Sequence, residues 1–264
     1  MNTINFLLIT SCLSLNIIKQ ASALPPPELT LPPPVPERSR LDSRFLESRI
    51  NPNRTQLDCT TDDDDAQIQS GVIPSRYRWT DFNVFIASSY SSDERTLINN
   101  AMYRLSQVLP CVNFGIYPAD STPSGDYVNI VKGGGCSSSV GRIGGEQDLT
   151  LASPGCMSIG TIMHEMIHAL GFHHEQCRPD RDDFVTIQTQ NIEPGKEHNF
   201  RKYSSKQVST FGVGYDQRSI MHYGAKYFSK NGQPTIVAKN GGSVGSTGEL
   251  RESDKSKLKN MYNC

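Results

Sequence analysis

Between Ser91 and Pro110 the apolar residues Leu97, Ile98, Ala101, Leu105 and Val108 recur at three- and four-residue intervals with polar residues between them. That period gathers them into one stripe of a helix. Ser91 and Glu94 form a capping-box pair at its start, and Pro110 stops it. Ahead of this helix, Val84-Phe85-Ile86 reads as a short strand. After it, Tyr127-Val128-Asn129-Ile130-Val131 alternates like a strand, Gly133-Gly134-Gly135 interrupts, and a further strand lies near Leu149-Thr150-Leu151. A second helix is predicted over 159–170, burying Ile162, Met163, Met166, Ile167 and Leu170, with Gly171 as its C′ residue. Beyond Asp180 the chain reads as loop-rich until a closing helix over 253–262. The order strand, helix, strand, strand, helix predicts an α+β fold, a mixed sheet packed with helices.

Residues 1–70 break this pattern. The run Asn5 to Leu15 is apolar but far shorter than the roughly 20 residues a membrane helix needs, and Ala21-Ser22-Ala23 follows it at the spacing a signal peptidase accepts. Residues 1–23 are therefore expected to be a secretory signal. From Leu24 to Ser70 come Pro25-Pro26-Pro27, Pro32-Pro33-Pro34, a polar stretch bearing arginines, and Asp62-Asp63-Asp64-Asp65. Such a composition buries too little apolar surface to fold alone. The aspartates lack the glycine and distal glutamate of an EF-hand loop and read as a solvated charge run. The expected organisation is signal peptide 1–23, a segment over 24–70 that does not fold alone, and one folded domain over 71–264.

Removing the signal leaves six cysteines, Cys59, Cys111, Cys136, Cys156, Cys177 and Cys264, an even number suited to disulfides in an exported, extracellular protein. The sequon Asn53-Arg54-Thr55 fits a glycoprotein of that compartment. With 26 Lys+Arg against 27 Asp+Glu, the chain has no basic excess for nucleic acid or an anionic membrane surface. After the signal no segment is apolar for long enough to insert stably in a bilayer.

The chemistry is concentrated in His164-Glu165-Met166-Ile167-His168-Ala169-Leu170-Gly171-Phe172-His173-His174-Glu175. Residues four apart share a helix face, so His164 and His168 can reach one zinc ion together. A catalytic zinc keeps three protein ligands and one water, and Gly171 supplies the turn that returns His174 as the third. Glu165, beside the first ligand, is placed to be the general base for a zinc-held water whose pKa falls to about 7, and then to protonate the leaving amine. His173 is expected to point elsewhere, and His198 and His222 have no ligand spacing of their own. One Zn2+ per chain and protein or peptide substrates follow. A catalytically silent zinc-binding module of the same fold would be expected to have lost the base or a ligand, and all four residues are present. A purely structural zinc site favours four closed ligands, often cysteines.

The motif continues as Glu175-Gln176-Cys177-Arg178-Pro179-Asp180-Arg181-Asp182, and Ser219-Ile220-Met221-His222-Tyr223 lies downstream. Together these resemble the astacin family of metzincins, from about Trp79 to Cys264. The resemblance implies a zinc endopeptidase with a metzincin-like bilobal catalytic domain: sheet and zinc-binding helix in the N-terminal lobe, loops and the closing helix in the C-terminal lobe, and a substrate cleft between them. It makes Met221 the methionine beneath the metal and Tyr223 a catalytic tyrosine able to stabilise the transition state. It makes Glu175 the partner of the amine freed on activation, and the family's zymogen habit makes residues 24–70 a propeptide ahead of a catalytic domain over 71–264. It also implies the disulfides Cys111 with Cys264 and Cys136 with Cys156, which leaves Cys59 and Cys177 as a possible third pair. Two features depart from the family. Its Phe-x-Gly-Asp zinc-blocking motif is missing between Leu24 and Ser70, where Asp58, Cys59 or the aspartate run could serve instead. Ser137 and Ser139 stand where relatives often carry aromatic residues.

Overall fold

The computed structural model of the chain describes residues 75–264 other than Lys206. The expected signal peptide and propeptide, the sequon at Asn53 and the cysteine at Cys59 lie outside the described residues. The N-terminal lobe contains β1 (Asp81–Ile86), α1 (Ser92–Val108), β2 (Asn113–Ile116), β3 (Tyr127–Val131), β4 (Cys136–Ser138), β5 (Glu146–Leu151) and α2 (Ile159–Ala169). The remainder carries β6 (Val185–Ile187), β7 (Ile236–Ala238) and α3 (Glu252–Tyr262), joined by long irregular connections.

The main sheet runs β2-β1-β3-β5-β4; β4 pairs antiparallel with β5, and the other pairs are parallel. This is the mixed sheet the pattern predicted, with two more strands than the periodicity showed. β2 is only Asn113-Phe114-Gly115-Ile116, and β4 is Cys136-Ser137-Ser138. Neither is long enough or apolar enough to alternate visibly, so each is a strand because a neighbour offers it a ladder. β6 and β7 form a separate antiparallel pair in the loop-rich part for the same reason.

Register aligns the apolar positions: Val84 sits opposite Val128, Ile86 opposite Ile130, and Ile130 opposite Leu149. Because side chains alternate along a strand, this puts Phe82, Val84, Ile86, Val128, Ile130, Leu149 and Leu151 on one buried face. α1 and α2 complete the same core with Ile98, Met102, Leu105, Ile162, Met163 and Met166. A smaller core of Val185, Ile192, Phe200, Tyr223 and Ile236 lies in the second lobe. α3 ties the two lobes, since Leu258 and Met261 join the main core.

The ends of the helices behave as the residues dictate. The Ser91 backbone N–H donates to Glu94 Oε2 at 2.7 Å and the Glu94 N–H to Ser91 Oγ at 3.3 Å, closing the capping box of α1. Ser158 caps α2 by accepting from the Thr161 N–H at 3.1 Å. Gly171 follows the end of α2 with φ of 113°, a conformation costly for any residue with a Cβ. Trp79 Nε1 donates to the Ala169 carbonyl at 2.8 Å and the Tyr262 hydroxyl to the Leu170 carbonyl at 2.8 Å, so the carbonyls left open where α2 ends are satisfied by both ends of the domain. Disulfides join Cys111 to Cys264 and Cys136 to Cys156, the pairings the family resemblance implied.

Candidate metal centre

α2 presents His164 and His168 one turn apart, and the chain reverses at Gly171 so that His174 returns beside them. The three Nε2 atoms stand 3.1, 3.2 and 3.3 Å from one another. A metal with bonds of about 2.0–2.1 Å to nitrogen in tetrahedral array needs donor atoms about 3.3 Å apart, so this triangle has the right size for zinc.

The protonation chemistry agrees with the distances. His164 Nδ1 faces the Ile220 carbonyl at 2.8 Å, and His168 Nδ1 faces the Phe172 carbonyl at 2.6 Å. A carbonyl can only accept, so in each neutral ring the hydrogen resides on Nδ1 and Nε2 keeps its lone pair. Burial holds His164 below its usual pKa; burial together with the neighbouring imidazoles holds His168 and His174 well below it. Neutral imidazoles with lone pairs turned toward one point repel each other, and a cation at that point removes the repulsion. Among the described residues these three form the group able to hold a metal ion.

Glu165 is 5 % exposed and lines the same cleft as the three histidines. Burial pushes its carboxyl up to about 8. The cleft has a volume of about 480 Å³; β4 contributes Ser137 and Ser138 to one wall, and Tyr223, Tyr227 and Phe228 stand on another. Of the two serines that stand where relatives often carry aromatic residues, Ser137 borders the cleft and Ser139 is not among its lining residues. The Tyr223 ring packs 4.4 Å from the His174 ring and 5.1 Å from that of Tyr227 (centroid to centroid), and its backbone N–H donates to Gln176 Oε1 at 3.2 Å. Met221 is buried in the main core.

Two of the other histidines have other duties. His173 points away to the Tyr203 hydroxyl, 3.1 Å from its Nδ1, and burial lowers its pKa to about 4. His222 donates from Nδ1 to the Tyr223 carbonyl at 2.7 Å and accepts the Tyr215 hydroxyl at Nε2, also at 2.7 Å. Glu175, next to His174, is buried and ringed by donors from its own chain: Oε1 accepts from Arg178 Nη1 at 3.1 Å and the Asp216 N–H at 3.0 Å, and Oε2 accepts from Lys257 Nζ at 2.6 Å. Sequence reasoning did not find Lys257 or Asp254. The only signal was their position three apart on the closing helix, which names no partner.

Comparison with known proteins gives a consistent set of relatives. The family model described as Astacin, a peptidase family, matches residues 72–263. Zinc metalloproteinase nas-15 of Caenorhabditis elegans is 43 % identical over 180 residues, covering 68 % of this chain and 31 % of that protein. Meprin A subunit beta of Homo sapiens is 37 % identical over 206 residues, covering 76 % of this chain and 28 % of that one. The match therefore spans about a third of the length of each of these two relatives. Among solved structures, high choriolytic enzyme 1 of Oryzias latipes, a hatching enzyme zinc-protease, superposes with a TM-score of 0.64 at 33 % identity, covering 72 % of this chain and 96 % of that one.

Proposed function

The chain belongs to the astacin family of peptidases, and on that premise we propose that it is an exported zinc endopeptidase that cleaves internal bonds of protein substrates and is made as a zymogen. The observation that carries the reading is the convergence of three lone-pair nitrogens 3.1–3.3 Å apart beside a buried carboxylic acid in an open cleft.

In this reading His164, His168 and His174 hold the zinc. When bound, the metal acts as a Lewis acid toward a water and toward the scissile carbonyl. Glu165 supplies the proton transfers. Its carboxylate takes a proton from the attacking water as the new C–O bond forms, then returns it to the amide nitrogen as the C–N bond breaks, yielding a carboxylic acid and an amine. Burial alone favours the protonated form of Glu165, and bound zinc would favour the carboxylate that a base must be. Tyr223, packed against His174, donates its hydroxyl to the oxyanion of the tetrahedral intermediate.

Purified mature protein, freed of the residues before about Ser70, is expected to carry about one zinc per chain and to cleave an unfolded protein substrate. Metal analysis and a digestion assay check this together. Stoichiometric zinc without cleavage of any such substrate would favour the silent binding module.

Export is supported by the signal-like run at residues 5–23 and by the two disulfides of the described residues. No helix among those residues is long and apolar enough to cross a membrane. Latency is proposed from the proline-rich, apolar-poor composition of residues 24–70. Protein beginning at Leu24 is expected to be inactive until the residues before about Ser70 are removed. A time course of cleavage with and without that processing tests it, and equal rates for the two forms would refute it.

A further inference from the structure

We propose that α3 is a clamp on the metal centre, with Lys257 and Asp254 as positioning residues for His174 and His164; the proposal rests on reading those histidines as metal ligands.

Lysine is almost never buried without a partner, yet Lys257 is 6 % exposed. Its Nζ lies 2.6 Å from Glu175 Oε2, and the side chains of this pair are 7 % and 6 % exposed. A buried charge pair of this kind holds its geometry firmly, because parting leaves the Lys257 ammonium buried without its carboxylate. Glu175 shares a peptide bond with His174, and its N–H donates to the Met221 carbonyl at 2.9 Å. Its other carboxylate oxygen accepts from Arg178 and from the Asp216 N–H. One carboxylate therefore ties the segment that delivers His174 to the turn before Met221 and to α3.

Asp254 lies three residues before Lys257, so both project from one face of α3. Asp254 Oδ1 accepts from the Ser219 hydroxyl at 2.5 Å, and Oδ2 accepts from the Ile220 N–H at 3.1 Å. The same Ser219 oxygen accepts the Met221 N–H at 3.0 Å. That N–H belongs to the peptide group whose carbonyl, on Ile220, takes the Nδ1 hydrogen of His164 at 2.8 Å. Asp254 thus fixes, through Ser219, the plane of the peptide that orients the first ligand.

α3 is itself well anchored. Leu258 and Met261 are in the main core, Tyr262 donates to the Leu170 carbonyl, and the Cys111–Cys264 disulfide holds its far end. His168 differs from the other two ligands, since its Nδ1 partner, Phe172, is four residues away on its own segment. Its orientation is local and does not pass through α3. Groups that orient metal-binding histidines typically contribute about 10- to 100-fold to metal affinity.

The test uses the full chain with Lys257→Met, Lys257→Arg and the pair Glu175→Gln with Lys257→Met. Zinc affinity is read by competition with a chromophoric chelator, and ligand geometry by the visible band of the cobalt(II)-loaded protein. Lys257→Met is expected to bind zinc about 10- to 100-fold more weakly with a shifted cobalt band, and Lys257→Arg to recover part of the loss. The pair removes both charges and leaves Arg178 its second carboxylate, Asp180, so it is expected to keep its fold even if Lys257→Met alone does not, and still to bind zinc weakly. A folded pair variant with unchanged zinc affinity and an unchanged cobalt band would overturn the clamp and leave α3 a packing element. Failure of the unaltered chain to take up zinc would overturn the ligand assignment, and the clamp with it.

Discussion

Glu165→Gln is expected to lower kcat by about 100- to 10,000-fold while leaving zinc content and folding intact. The amide keeps the size of the side chain but cannot accept a proton, so both transfers assigned to Glu165 fail, and positioned acid–base groups are typically worth that range. The fold should tolerate the change for a reason visible at the site. Glu165 is 5 % exposed, and burial raises its carboxyl to about 8, which means the surroundings disfavour its charge. In the metal-free protein burial holds the acid neutral, so a neutral amide in its place should leave the metal-free melting temperature close to that of the parent protein. Glu165 is also outside the triangle of Nε2 atoms, so the metal loses no donor. Steady-state kinetics on one peptide, metal analysis and a thermal melt make the check. Full activity in this variant would remove Glu165 as the base.

Tyr223→Phe is expected to lower kcat by about 100- to 1,000-fold, or somewhat less, with KM little changed. A donor aimed at an oxyanion acts on the transition state and not on the bound substrate, and loss of one such donor usually costs that much. The substitution isolates the hydroxyl. The ring contacts with His174, Phe200, Tyr227 and Phe228 do not need the oxygen, and Phe retains them. Zinc content should be unchanged with three histidines in place. The decisive quantity is the split between kcat and KM; an unchanged kcat would make Tyr223 a packing residue of the second core, where it already belongs.

The sequence by itself determined the parts of this protein whose geometry is local. His164 and His168 share a helix face because the helical period places them there, with Glu165 next in the chain, and Gly171 reverses the chain because only glycine takes φ of 113° without strain. Three ligand candidates and the base candidate therefore lie within eleven consecutive residues, and their arrangement needed no knowledge of the rest of the chain. The capping box of α1, all three helices and the apolar strands β1, β3 and β5 were readable for the same reason, since a repeated pattern within one segment carries its own period. Tertiary structure decided what joins segments far apart. The Ile220 carbonyl reaches His164 across 56 residues and Lys257 reaches Glu175 across 82, and neither contact has a period to announce it. β2, β4, β6 and β7 are too short to alternate and exist because partner strands supply their hydrogen bonds. Polar residues in a closing helix read as a solvated face; only packing α3 against the loop behind His174 turns Lys257 and Asp254 inward, where burial makes their choice of partner obligatory.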